Sequence, residues 1–504
     1  MTERSRPATA TRRAGRLARA AGATAAVLVL ATAGAGAWFY HRLDQNISTF
    51  SADGVATSRP PVAPVPSGVP GGGRPVNVLL LGSDTRSDGN GSLGGGDAGV
   101  GHSDTAILLH VYADHKHAVG VSIPRDTLVT VPPCKLPNGS WTNPRTDQMF
   151  NSAFTVGQDP QGNPACTQNT VEALTGLRID HTVVVDFKGF AAMTDAVHGV
   201  DVCVPADVDS YGIHLEKGRR TLSGKQALDY VRARHGFGDG SDIGRMKRQQ
   251  AFLSSLIDKV RSRGFDLTTL LPLADAATRS LTVDQELGSA MKLATFAQSL
   301  QDIELADITF VTVPWEYAGA RVALVHPDVD TLWEILRQDR TLDGSPTGSP
   351  TASPTASPSA SVSAGSTPSA APGATGTPAP NATAVHITVH NASGAAGSAG
   401  RAATALASHG YRNLTVGADA KGRSASVVGY SAGHRAAAEQ LAALYPGATV
   451  KADASAGGLV LTLGQDHASG DTAGPVTLPT TLPSGITDNA RPADSDLCSN
   501  LSYG

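Results

Sequence analysis

Between Gly344 and Ala384 the chain carries no charged residue. Its repeats, SPTASPTASPSASVSAG among them, offer only small side chains and prolines, which cannot bury enough apolar surface to offset the entropy of folding. The 504 residues therefore divide into two folding units. Residues 341–384 read as a disordered Ser/Thr/Pro/Ala linker with many acceptors for O-glycosylation. Upstream, 75–340 form the larger domain. Downstream, 385–466 form a compact unit, and 467–504 read as a polar, Pro-rich tail.

The larger unit alternates apolar runs with helical periodicity. VNVLLLGSD, TAILLHVYAD and HAVGVSIPRD are three early strands, the last broken at Pro124; HTVVVDF, GVDVCVP and ITFVTVPW follow, separated by helical stretches. Strands alternating with helices predict an α/β fold, and the hairpin-like opening predicts a mixed central β-sheet with helices on both faces. The downstream unit shows the same alternation in VHITVHNAS, GSAGRAATALASHGY, SASVVGYSA, HRAAAEQLAALYPG and GLVLTLGQD, which predicts a small separate C-terminal α/β domain.

The N-terminus predicts a location. Arg4, Arg6, Arg12, Arg13, Arg16 and Arg19 precede an uncharged run from Ala20 to Tyr40. At about 1.5 Å per residue that run matches a ~30 Å hydrocarbon core, and Trp38, Phe39 and Tyr40 suit its interface. Residues 1–19 then read as a cytoplasmic basic tail, 20–40 as a transmembrane signal-anchor and 41–74 as an extracytoplasmic stalk. The expected location is the cell membrane, single-pass, with the large domain outside. The competing account is a cleaved signal peptide, since AGAGA offers small-residue sites near Ala37. With a net charge of −4 and export, nucleic acid is excluded as a partner.

Four cysteines, Cys134, Cys166, Cys203 and Cys498, suit an exported chain and allow three pairings. Joining Cys134 to Cys166 would staple one loop-rich insertion and leave Cys203 to tie down Cys498 in the tail. There is no CxxC, which disfavours metal binding or redox chemistry at these thiols.

The segment DYVRARHGFGDGSDIGRMKRQQ gathers Arg232, Arg234, Arg245 and Arg248 within seventeen positions. Guanidinium groups repel one another, so four together call for a shared anion. Ser241 and Asp242 read as an N-cap and first-turn acid, which places Arg245, Arg248 and Gln249 on one helical face. Arg232 and Arg234 alternate and would share a face if YVRAR were a strand. Planar donors at a helix start are a phosphate-binding arrangement. The competing account is a solvated basic face. Asp84, Asp104 and Arg125 stand at the predicted ends of the first three strands, where ligands of α/β sheets sit. Two carboxylates beside phosphate oxygens suit Mg²⁺; taken singly, each acid could instead cap a turn. ILLHV, VVVDF and the helical FLSSLI could line an apolar pocket, or be ordinary core.

VNVLLLGSDTR, HSDTAILLHV, VSIPRDTLV, FNSAF, VDFKGF, GVDV and LSGKQALDYVRARHGFGDGSDIGRMKRQQ, in this order, resemble the LytR–CpsA–Psr family over about residues 75–340. Residues 385–466 resemble the C-terminal domain often appended to it. The resemblance implies an extracytoplasmic phosphotransferase that moves a glycopolymer from a polyprenyl-diphosphate carrier onto peptidoglycan, with Mg²⁺ as cofactor and Mn²⁺ as its substitute. The implied partners are the carrier-linked glycan, the peptidoglycan acceptor and the membrane. By motif, Asp84 and Asp104 are the implied metal ligands, and they are catalytic together with Arg125. Arg86, Arg125, Arg232, Arg234, Arg245 and Arg248, with Gln249, are the implied pyrophosphate contacts. In MFNSAF, Met149 stands where many members carry Lys, a contact that Lys135 or Arg145 could replace. Two other readings remain open: a pyrophosphatase that uses water as acceptor, and a non-catalytic wall-binding or regulatory protein.

Overall fold

The computed structural model describes residues 31, 33–57, 59–63, 65, 73–85, 101–158, 162–210, 212–233, 237, 241–262, 267–326, 328–342, 385–395, 397–409, 411, 413–470 and 482–498. The basic tail 1–19 and the linker beyond 342 lie outside the described residues.

Eight strands form the main sheet: β1 (Ser48–Phe50), β2 (Val76–Ser83), β3 (Ser103–Val111), β4 (Ala118–Ser122), β5 (His181–Asp186), β6 (Leu281–Asp284), β7 (Ile308–Thr312) and β8 (Ala490–Pro492). Their spatial order is β1-β6-β5-β2-β3-β4-β7-β8. The β2–β3 and β3–β4 pairs are antiparallel, whereas β2–β5 and β4–β7 are parallel. The sheet is therefore mixed, as the hairpin-like opening of the sequence implies.

Both faces are covered, which is why the strands read as near-continuous apolar runs. Leu79, Leu81, Leu108 and Val121 point to a core shared with Phe150, Phe154, helix α1 (Pro164–Thr175) and a helix over Asp328–Arg337 whose Trp333 is fully buried. The alternate residues Leu109, Val111 and Phe310 meet Leu253 and Ile257 on the other face. That face carries α2 (Phe187–Ala196), α3 (Gly224–Arg232), α4 (Asp242–Ser262) and α5 (Leu267–Ser280). YVRAR is not a strand: Ala227, Leu228, Tyr230 and Val231 are buried together on α3, and Arg232 is the last residue of that helix.

The separate C-terminal unit is a five-stranded sheet, ordered 414–416, 387–391, 459–463, 427–430, 449–452, with helices Ser398–Ser408 and Arg435–Ala443. It has its own core around Val389, Leu406, Leu441 and Leu461.

Two segments expected to stand clear of the larger domain are built into it. From the expected stalk, β1 pairs with β6, and the Arg59 Nη2 lies 2.6 Å from the carboxylate of Glu172, whose side chain is almost fully buried. From the expected tail, β8 extends the sheet on β7, Ile486 is fully buried, and Arg219 pairs with Asp496. The cysteines are joined as Cys134–Cys166 and Cys203–Cys498, with Cα atoms 5.8 and 5.2 Å apart; the second bridge fixes the end of this returning segment.

The membrane expectation is corrected. Among the described residues no helix is long and apolar enough to cross a membrane, which overturns the single-pass anchor at 20–40 and the location drawn from it. Residues 20–30 lie outside the described residues. From 33 to 46 the backbone is helical, but this helix leaves the apolar run at His41. Its Arg42 Nε donates to Asp275 on α5 at 3.2 Å, and Asp44 accepts from the backbone N–H of Ala290 at 3.0 Å. Polar side chains tie this helix to the domain.

Candidate functional site

The site is organised by one irregularity in the β2–β3 ladder. Gly82 pairs with Thr105 and Ser83 with Ser103, so Asp104 is the extra residue of a β-bulge. A bulge leaves one residue outside the ladder and re-aims its side chain. The Asp104 carboxylate accepts from Arg125 Nη1 at 2.6 Å, and its backbone carbonyl accepts from Arg245 Nη2 at 3.2 Å. Arg125 arrives from the turn after β4, where Ile123 and Pro124 end the strand. Arg245 lies in the first turns of α4, whose start is capped by Ser241, the hydroxyl of which accepts from the Gly244 N–H at 3.1 Å.

Asp242 joins the two arginines. Its Oδ2 lies 2.9 Å from Arg245 Nη2 and 3.5 Å from Arg125 Nε. In the sequence Asp242 reads only as a first-turn acid; its i,i+3 spacing to Arg245 is the signal for the second role. Burial works against the charge on Arg125, but Asp104 and then Asp242 outweigh it and hold the guanidinium above its ordinary pKa. Arg245 is more deeply buried, and desolvation, with repulsion from Arg125, leaves it below its ordinary value. The cluster thus stores cationic groups at the edge of a poorly solvated space.

That space is a cavity of about 670 Å³ beneath α4. Asp104, Arg125 and Arg245 stand at one end, and Leu80, Ile107 and Val185 form part of the sheet wall. Phe190, Phe252 and Leu256 close the apolar end. Ile107 of ILLHV, with several residues of VVVDF and FLSSLI, therefore lines one pocket. Arg232 and Gln249 line it as well, but each is engaged locally: the Arg232 guanidinium lies 3.9 Å from the Phe187 ring centroid, and Gln249 Nε2 donates to the Val231 carbonyl at 3.1 Å.

Other expected residues sit differently. Arg248 is withdrawn from the cluster: its side chain is fully buried, donates to the Ala233 carbonyl and stacks on Phe237 at 4.4 Å. Its position on α4 points it at the segment after α3, so it holds that segment and does not line the cavity. Asp84 accepts from the backbone N–H of His102 and returns its own N–H to the His102 carbonyl at 3.0 Å, tying together the two ends of the intervening loop. Arg86 and Arg234 lie outside the described residues. Met149, Lys135 and Arg145 do not line the cavity. Among the described residues no group of three or more His, Cys, Asp and Glu is placed to hold a metal ion.

Residues 59–338 match the model of the LytR_cpsA_psr family, and residues 384–467 match that of the LytR cell envelope-related transcriptional attenuator. Among curated proteins, the chain is 35% identical over 263 residues to the cell wall biosynthesis protein LcpA of Corynebacterium glutamicum, covering 47% of this chain and 50% of that one. It is 29% identical over 292 residues to the polyisoprenyl-teichoic acid–peptidoglycan teichoic acid transferase TagT of Bacillus subtilis, covering 56% and 82%. The alignment spans about half the length of the first of these relatives. Among solved structures, the LytR-Csp2A-Psr enzyme from Actinomyces oris matches with a TM-score of 0.41 at 23% identity, covering 56% of this chain and 94% of that one. Since the first family model takes in more than half of its length, this chain belongs to the LytR–CpsA–Psr family.

Proposed function

We propose that this chain transfers a glycopolymer from a polyprenyl-diphosphate carrier to peptidoglycan, leaving the two joined by a phosphodiester. The observation that carries this reading is the placement of Arg125, Arg245 and Asp104 at one end of a largely apolar cavity of about 670 Å³. A molecule with a dianionic head and a long hydrocarbon tail matches both parts. The teichoic acid transferase activity in the name of the Bacillus subtilis relative agrees with it.

In such a transfer the protein mainly positions groups and stabilises charge on phosphate oxygens. Arg125 and Arg245 present planar forks that suit two phosphate oxygens each. A new bond joins the acceptor hydroxyl oxygen to the phosphorus nearest the glycan. The bond that breaks, from that phosphorus to the bridging oxygen, releases the polyprenyl phosphate, and the hydroxyl proton passes to the leaving phosphate or to water. The cavity receives the lipid and excludes water from the leaving side. Asp84 and Asp104, at paired strand ends, provide the hard carboxylate donors that Mg²⁺ takes when substrate phosphate and water complete its shell, and the bound ion would neutralise pyrophosphate charge. With the ion bound, Asp104 would be one of its holders and Arg125, its neighbour at 2.6 Å, would face the phosphate.

The test is incubation of the chain with glycan-labelled polyprenyl-diphosphate donor and purified peptidoglycan, with Mg²⁺ and with a chelator. The expected result is label attached to peptidoglycan, lost on chelation and restored by Mg²⁺. Release of free phosphorylated glycan alone would sink the ligase reading in favour of a pyrophosphatase.

A further inference from the structure

The apolar cavity is not the largest hollow at these strand ends. A second one, of about 1000 Å³, opens beside it. It begins at Ser83 and Thr85, on either side of Asp84, and runs between Lys188 and Asp195 of α2 and Asp275 and Arg279 of α5.

The strand pairing fixes how the two hollows relate. On β2 and β5, Gly82 pairs with Val185 and Leu81 with Val184, and Ser83 pairs with Asp186. Gly82 and Val185 line the apolar cavity. Ser83 and Val184, which alternate with them, line the larger hollow, where Phe154 joins them, and Leu81, the partner of Val184, reaches the apolar cavity. Asp186 lines both. Its Oδ1 is fixed by the N–H of Gly189 at 2.7 Å as the cap of α2. The two hollows therefore meet at the ends of one strand pair, with Asp186 between them.

Phosphoryl transfer needs the attacking and leaving oxygens roughly in line across phosphorus. If the leaving lipid occupies the apolar cavity, the attacking hydroxyl has to reach the phosphorus from outside that cavity, and the larger hollow opens on the same strand ends. Resting on the transferase reading above, we propose that the larger hollow is the acceptor subsite, and that it takes the glycan strand of peptidoglycan with its peptide stem. The lining fits that occupant. Ser83 and Thr85 hydroxyls, with the carboxylates of Asp195 and Asp275, match sugar hydroxyls. Lys188 and Arg279 match the carboxylates of a peptide stem, and Arg279 is half exposed although it contacts Asp275 at 3.0 Å. The lining of this hollow is about as polar as it is apolar, whereas that of the neighbouring cavity is mostly apolar.

The test uses the full chain, a disaccharide–peptide fragment of peptidoglycan, and a polyprenyl diphosphate that cannot transfer. Ala276, a small half-buried residue of α5 that lines the hollow, is replaced by Trp to fill it, and Arg279→Glu reverses its charge. Melting curves check that both variants fold. Calorimetry is expected to show fragment and lipid diphosphate binding together to the wild type. Ala276→Trp should weaken the fragment about tenfold or more with the lipid affinity retained, and Arg279→Glu should raise the acceptor KM more than it lowers kcat. Displacement of the fragment by the lipid diphosphate, or equal fragment affinity in wild type and both variants, would overturn the subsite. Failure of the transferase reading is seen separately, as wild-type chain that consumes labelled donor and leaves peptidoglycan unlabelled.

Discussion

Arg245 Nη2 donates to the backbone carbonyl of Asp104 across 3.2 Å, linking helix α4 to the residue that the β-bulge expels from the strand ladder. The bond answers the question a bulge always raises, which is where the displaced peptide group finds its partner. It also means that the same guanidinium positions the acid and waits beside it for an anion. Lysine could not do both, because it lacks the planar fork. Arg245→Lys is expected to fold and to lower the transfer rate at saturating donor by about 10²–10³-fold, the cost of one preorganised donor to transition-state charge. Single-turnover measurement with the labelled donor checks this; a rate within twofold of wild type would remove Arg245 from the site.

Asp242 lies within 3.5 Å of both Arg125 and Arg245. In Asp242→Asn two neighbouring guanidinium groups lose their shared counter-charge. Stability without ligand should fall by about 1–3 kcal/mol, as expected when a buried charged group loses its partner. Inorganic pyrophosphate should then raise the melting temperature of Asp242→Asn by more than it raises that of wild type, since the anion replaces the missing carboxylate. Equal ligand-induced shifts in the two proteins would show that the arginines do not share the bound anion.

Much of this site could be read from the residues, because strand ends and a helix start are marked locally. GSD and HSD close and open apolar runs, and Ser241-Asp242 opens a helix that the structure begins at Asp242 and ends at Ser262. What could not be read depends on register. Arg248 is three residues from Arg245 and shares its helical face in the pattern, yet its guanidinium ends on the Ala233 carbonyl and the Phe237 ring. The bulge at Asp104 is invisible in composition, since it follows from which strands pair. The segments around 48–50 and 490–492 fall in stretches whose Pro-rich, polar composition reads as stalk and tail. They are strands only because the ends of β6 and β7 leave edges for them.

Gly120 on β4 stands opposite Phe310 on β7. A Cβ built at Gly120 would lie 2.6 Å from the Phe310 ring, closer than any packed contact allows. The ring itself is fully buried and has nowhere to retreat. Gly120→Ala is therefore expected to destabilise by about 1–3 kcal/mol, the usual cost of overpacking. Chemical denaturation measures it. A double change, Gly120→Ala with Phe310→Leu, should recover part of the loss, and no recovery would mean that the ring is not the obstacle.

The Cys203–Cys498 bridge closes a long chain segment and holds the end that supplies β8 and the buried Ile486. Removing such a link commonly costs about 2–4 kcal/mol. Cys203→Ser with Cys498→Ser should lose stability in that range, and hydrogen exchange should rise at 490–492 and along β7 before it rises in β2. Unchanged exchange at β7 would mean that β8 holds without its covalent tie.

Asp284, at the end of β6, accepts from the N–H groups of Thr182 and Glu286 at 2.9 Å and of Leu287 at 3.1 Å, with His181 Nδ1 3.4 Å away. Burial alone would raise its pKa; the bond from His181 and those from the backbone reverse that and hold the carboxyl below its ordinary value. A carboxyl depressed on folding adds stability above its unfolded pKa of about 3.9, and that addition is lost as pH falls through the lower folded value. Asp284→Asn removes the charge that the three N–H groups face and should cost about 1–3 kcal/mol at pH 7. The gap between the two proteins should narrow progressively below about pH 4, where the wild-type carboxyl takes up its proton. Urea denaturation at pH 7, 5 and 3 follows it. A gap that stays constant across those pH values would show that the ionised carboxylate is not what binds β6 to β5.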